Sequence, residues 1–201
     1  RTDAVLQRRV IGFDINTSRL EQLSRGVDHT NESSFEDLQA AELLELTNDP
    51  KKLEDAEVYI VTVPTPIDSS KRPDLTALKK ASSMIGRALK KRQSSITPVI
   101  IYESTVYPGL TEEICVPILE RDSSLSFNVG FVCGYSPERI NPGDNQHKLT
   151  TIKKVTSGST TQATLWVDSF YGSIIKAGTH IASSLKVAEA AKVIENTQRD
   201  L

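Results

Sequence analysis

Short apolar runs that end in a turn and hand over to a helix-length stretch recur along this chain, and they restrict it to a narrow set of folds. Arg9-Val10-Ile11-Gly12-Phe13-Asp14 is followed by Asn16-Thr17-Ser18, then by Leu20 and Leu23 at helical spacing, the pattern of strand, cap and helix. Glu57-Val58-Tyr59-Ile60-Val61-Thr62-Val63 stops at Pro64-Thr65-Pro66. Pro98-Val99-Ile100-Ile101-Tyr102 leads through Glu103-Ser104-Thr105 to Pro108-Gly109, with Glu112 and Glu113 in the next turn, as a helix start favours. A fourth run, 128–133, ends in Gly134-Tyr135-Ser136-Pro137-Glu138. Helices are expected over roughly 74–92, 108–121, 160–171 and 184–201. Strands alternating with helices imply crossover connections, hence a doubly wound α/β fold whose parallel sheet is covered on both faces. The polar stretch 141–150 is the longest candidate loop.

Charge and composition exclude several classes of partner. A net charge of -2 over 201 residues offers no broad basic field, and Lys90-Lys91-Arg92 and Lys153-Lys154 are too short to make one, so no nucleic acid is expected. No apolar run approaches the roughly 20 residues that span a bilayer, and no signal-peptide pattern opens the chain; no membrane partner and a cytoplasmic location are expected. Cys115 and Cys133 sit in apolar surroundings without metal-ligand spacing, which reads as two buried reduced thiols and no metal site. His29, His147 and His180 are scattered in polar contexts and take no catalytic role.

Four segments carry candidate chemistry, each with a plainer alternative. Asp14, closing an early strand, suits an acceptor for the ribose hydroxyls of NAD and disfavours the 2'-phosphate of NADP, although an aspartate there is also a common helix cap. A glycine-rich turn belongs about 20 residues before such an acid, yet Gly12 is the sole glycine preceding it. In Val63-Pro64-Thr65-Pro66 the prolines either end a strand or fix a loop presenting Thr65 to a cofactor. Ser104 and Thr105 stand before a helix N-terminus, where backbone N–H groups draw an anion or a polarised water; a simple cap is the alternative. Glu138 and Arg139 follow the fourth strand as a site pair or a surface ion pair, and Lys192 and Asn196, four apart, aim an ammonium and an amide at one point or lie solvated.

Taken together and in this order, Glu103-Ser104-Thr105-Val106-Tyr107-Pro108-Gly109, Ser136-Pro137-Glu138-Arg139-Ile140-Asn141-Pro142-Gly143 and Glu189-Ala190-Ala191-Lys192-Val193-Ile194-Glu195-Asn196 resemble the UDP-glucose and UDP-N-acetylhexosamine 6-dehydrogenase family, over about 9–201. The segments look like the N-acetylhexosamine branch, which feeds polysaccharide synthesis. The resemblance implies a Rossmann-like domain over 1–183 and, over 184–201, the start of a long central helix where subunits pair into a homodimer or higher oligomer. It implies a four-electron oxidation of C6 of a UDP-N-acetylhexosamine (UDP-GlcNAc, UDP-ManNAc or UDP-GalNAc) to the uronic acid, with NAD as acceptor and a cysteine holding the aldehyde. By this likeness Asp14, Arg19, Thr65 and Thr105 lie near NAD. Glu138, Lys192 and Asn196, with Thr105, form the catalytic set, and Glu138, Arg139, Lys192 and Asn196 meet the UDP-sugar. Glu138 serves proton and water chemistry, and Lys192 stabilises negative charge on the C6 oxygen.

Two departures shape the expectation. The family's first strand and glycine turn, and its nucleophilic cysteine beyond 201, have no counterpart here, so the chain is expected to be part of a longer polypeptide, inactive alone, with strands unpaired at the centre of its sheet. A non-catalytic fragment of such an enzyme, or a two-electron hydroxyacid-type dehydrogenase, are the competing readings.

Overall fold

The computed structural model describes residues 8–30, 32–67, 72–138 and 151–200, with the backbone but not the side chain of Asn196, Arg199 and Asp200. Arg139 and the 141–150 stretch lie outside the described residues. The chain divides into two compact units, Arg1–Glu54 and Asp55–Leu201.

The first unit is a βαβ arrangement. Strand β1 (Val10–Phe13) pairs in parallel with β2 (Leu44–Thr47), Val10 opposite Leu44 and Phe13 opposite Thr47. A parallel pair needs a crossover, supplied by helices α1 (Thr17–Ser24) and α2 (Phe35–Ala40). Each helix has a side-chain cap: Asn16 accepts from the Arg19 amide, and Ser34 and Asp37 form a reciprocal capping box. Pro50 opens a single 3-10 turn, Pro50–Leu53, capped by Asp49. None of the described residues of this unit is fully buried, as a two-stranded sheet dictates.

The second unit holds a five-stranded sheet in the order β3-β4-β5-β6-β7. Strands β3 (Val58–Val61), β4 (Val99–Tyr102) and β5 (Val132–Tyr135) are parallel, joined by helix α3 (Thr76–Lys91) and then by a π-helical turn, Thr111–Cys115, that runs into α4 (Val116–Ser123). Pro117 accounts for the π turn: it lacks an N–H and crowds the carbonyl four residues back, so the Val116 N–H reaches five residues back to Thr111. The expected run of parallel strands breaks once. Strand β6 (Lys154–Gly158) is antiparallel to β5, then parallel to β7 (Thr179–Ile181) through the crossover helix α5 (Thr161–Gly172). Helix α6 (Leu185–Asp200) closes the chain.

Burial explains the apolar runs. Strand β4 is buried along its whole length, with Ile100, Ile101 and Tyr102 at 0% exposure, which is why it reads as a continuous apolar segment. Val99 and Ile101 pack with Val167, Tyr171 and Ile175 of the α5 region. Gly134 allows that close approach, since a Cβ there would meet Val167 Cγ2 at 2.9 Å. The fourth strand starts later than its apolar run suggests, at Val132, because Asn128 takes a left-handed φ of 61° and its amide bonds Phe131 O at 2.8 Å in a turn. Among the described residues β1 pairs with β2, and β3 with β4, as edge strands of their own sheets. No helix among the described residues is long and apolar enough to cross a membrane.

Candidate active site

The acid after β1 does not cap the helix that follows it. The Asp14 amide extends the ladder to Thr47 O at 3.2 Å, and its exposed carboxylate accepts from the Asn16 amide at 2.9 Å through Oδ1 alone. Capping of α1 falls to Asn16, whose Oδ1 accepts from the Arg19 amide at 3.1 Å. Asp14 Oδ2 makes no hydrogen bond among the described residues. The Arg19 guanidinium pairs with Asp28 at 2.7 Å. Burial pulls the Asp28 carboxyl upward, but the Thr30 hydroxyl and amide, the Ser33 amide and Arg19 overcome it and hold the group well below the usual carboxylate range.

In the second unit the loops that follow β3 and β4 are stitched together at the carboxyl ends of their strands, where open α/β sheets bind ligands. Ser104 Oγ donates to Val63 O at 2.6 Å, and Thr65 Oγ1 donates to Thr105 O at 2.7 Å, leaving the Thr105 side chain exposed beside Thr65. Two of the expected cofactor residues thus meet.

The segment after β5 is held from three sides. Ser136 Oγ donates to Val155 O at 2.7 Å. The Lys192 ammonium, on α6 and 7% exposed, donates to the backbone carbonyl of half-buried Glu138. Two candidates 54 residues apart are therefore joined by a side-chain to main-chain hydrogen bond. Beneath them lies a charged group that sequence reasoning missed. Lys154 Nζ sits 3.1 Å from Glu103 Oε2 and 3.5 Å from Pro137 O, and the Tyr171 hydroxyl donates to Glu103 Oε1. Burial, and then the facing Glu103 carboxylate, push the Tyr171 phenol far above its ordinary range.

Glu189 is the second missed residue, and it corrects an expectation. The N–H groups at the turn before the π segment do draw an anion, but it is the protein's own: the fully buried Glu189 carboxylate accepts from the Gly109 and Thr111 amides, the latter at 3.0 Å. Gly109 is required there, at a φ of +98°. The signal lay in helical phase, since Leu185, Ala188, Glu189 and Lys192 share one buried face and a glutamate among them needs a partner. Asn196 lies on the same helix, its side chain outside the description.

Both cysteines are unsuited to nucleophilic work. Each is fully buried; burial raises the Cys115 thiol to about 11 despite hydrogen bonds from Ser82 and Tyr102, and lifts Cys133 well above its ordinary value.

Comparison with known proteins adds an independent line. Residues 3–175 match the UDP-glucose/GDP-mannose dehydrogenase family, NAD binding domain. The chain is 58% identical over 195 residues to UDP-N-acetyl-D-glucosamine 6-dehydrogenase of Pseudomonas aeruginosa, covering 97% of the chain and 45% of that protein. It is 55% identical over 194 residues to the protein of the same name from Salmonella typhi, covering 96% of the chain and 44% of that protein. Its fold matches that of GDP-mannose dehydrogenase from Pseudomonas aeruginosa in a ternary complex, with a TM-score of 0.87 at 23% identity, covering 96% of the chain and 45% of that structure. The chain thus spans about half the length of the curated relatives it matches.

Proposed function

Because the chain belongs to the UDP-glucose/GDP-mannose dehydrogenase family, whose NAD binding domain its residues 3–175 match, we propose that the whole protein oxidises C6 of a UDP-N-acetylhexosamine to the uronic acid in two NAD-dependent steps. UDP-GlcNAc is the first candidate substrate, supported by the names of relatives at 58% and 55% identity. The observation that carries the reading is the Lys192 ammonium on the Glu138 carbonyl, which draws a cation from α6 to the loop bearing a carboxylate.

In this reading the chain's residues divide the work. Asp14 accepts hydrogen bonds from the adenosine ribose, and its negative charge opposes a 2'-phosphate. Thr65 and Thr105, joined at the ends of β3 and β4, would hold NAD there. When bound, NAD supplies the hydride acceptor. Glu138 removes a proton, first from the C6 hydroxyl or its water and later from the water that attacks the thioester left on the cysteine by loss of the second hydride, the thiol being the leaving group. Lys192, with Asn196, stabilises negative charge developing on the C6 oxygen, and Arg139 meets the sugar nucleotide. The thiol that holds the aldehyde is neither Cys115 nor Cys133, which are buried and protonated. We further propose that residues 1–183 belong to one NAD-binding domain, that 184–201 begin a central helix at which two copies pair, and that the protein works in the cytoplasm.

The test is to supply the whole protein with NAD and, separately, UDP-GlcNAc, UDP-ManNAc and UDP-GalNAc. NADH formation with one of them supports the reading, with UDP-GlcNAc the expected best substrate. Activity confined to UDP-glucose or GDP-mannose would refute it.

A further inference from the structure

Lys154 is almost fully buried, at 3% exposure, at the start of β6, an interior strand that the proposed chemistry does not use. Burying an ammonium is costly unless it is paired, and a buried pair adds little stability over apolar side chains of similar volume. Its surroundings suggest why the charge is there. The ammonium bridges Glu103 Oε2 at 3.1 Å and Pro137 O at 3.5 Å, and lies 5.0 Å from the centre of the Tyr171 ring, whose hydroxyl donates to the other oxygen of Glu103. Glu103 stands two residues before Thr105, and Pro137 immediately precedes Glu138. One buried group therefore fixes the residues next to a proposed cofactor contact and next to the proposed base. Moreover, two lysines from different elements, Lys154 on β6 and Lys192 on α6, reach consecutive carbonyls, those of Pro137 and Glu138.

We infer that Lys154, through Glu103 and Tyr171, is a positioning residue that sets the Pro137–Glu138 peptide against the reacting carbon. The inference rests on the dehydrogenase reading above. Lys154 meets neither substrate nor cofactor; it acts by aligning the Glu138 loop with Thr105. A displacement of about 1 Å in such a loop costs on the order of a hundredfold in rate.

A purely charge-balancing role and a positioning role separate in a double variant of the whole protein. Lys154→Met alone strands the Glu103 carboxylate and is expected to melt early or fail to fold. Glu103→Gln combined with Lys154→Met removes both charges and keeps an acceptor for the Tyr171 hydroxyl. The expected result is a melting temperature close to wild type, a KM for NAD within about twofold and a kcat lowered about a hundredfold. A double variant with wild-type kcat, or one that cannot fold, makes the pair structural and overturns the inference. A wild-type protein that forms no NADH from any UDP-N-acetylhexosamine is a different failure: it removes the functional reading itself, and the inference with it.

Discussion

Glu189 and Thr111, 78 residues apart in the chain, meet in a buried hydrogen bond of 3.0 Å from the Thr111 amide to the carboxylate. The same carboxylate takes the Gly109 amide, so one side chain of α6 closes the N-terminal turn that follows the Glu103-Ser104-Thr105 segment. Lys192 leaves the same buried helix face for the Glu138 carbonyl. The contact that docks α6 and the contact that carries the proposed chemistry lie one helical turn apart.

Glu189→Ala should therefore act on stability and rate together. Two buried amides lose a charged acceptor, at a cost of about 3 kcal/mol. Chemical denaturation should show a lowered midpoint, and kcat should fall because Lys192 loses its anchor. A variant with an unchanged midpoint would show that water or another group satisfies those amides.

Asp14→Asn should weaken NAD binding without unfolding the first unit, because the Asn16 cap on α1 stays in place. Loss of a charged acceptor for a ribose hydroxyl is worth about 1.5–3 kcal/mol, or roughly ten- to a hundredfold in Kd. Titration calorimetry with NAD and NADP measures it, and the preference for NAD should narrow. Unchanged affinity for both would remove Asp14 from the site.

Asp28 makes the first unit sensitive to acid. Its carboxyl is held below the ordinary value of 3.8, so its contribution to stability is present above that value and is lost as pH falls through the lower folded value. Asp28→Asn should melt lower than wild type at pH 7, with a gap that narrows steadily below about pH 4. A gap that is constant with pH would mean that the Arg19 pair contributes nothing through charge.

Legibility of this fold followed burial. Strands β3 and β4 and helix α3 announce themselves because their buried residues, Ser82 apart, are mostly apolar and proline or polar turns bound them. Strand β6 does not, since Lys154, Thr156 and Ser157 are buried yet polar, each satisfied by a distant partner: Glu103, Asp168 and Tyr135 O respectively. In β2 the alternation Leu44-Glu45-Leu46 is too brief to separate from a helix turn. The site divides in the same way. Asp14, Thr65, Thr105 and Glu138 stand in local motifs after strand ends, and Lys192 in one within α6, so all could be singled out as candidates from order and spacing. Glu103, Lys154 and Glu189 act through pairings over 51 to 80 residues, and although helical phase marks Glu189 as buried, no local pattern names the partners.

The central claim is a four-electron oxidation at one carbon, and counting reduced cofactor tests it most directly. The whole protein is given a limiting amount of the UDP-N-acetylhexosamine it turns over, with excess NAD, and NADH is read at completion. The account predicts about two NADH per sugar and a UDP-hexosaminuronate product, as expected when the aldehyde is held for a second hydride transfer. One NADH per sugar, with an aldehyde or ketone product, would contradict it and place the protein among two-electron dehydrogenases.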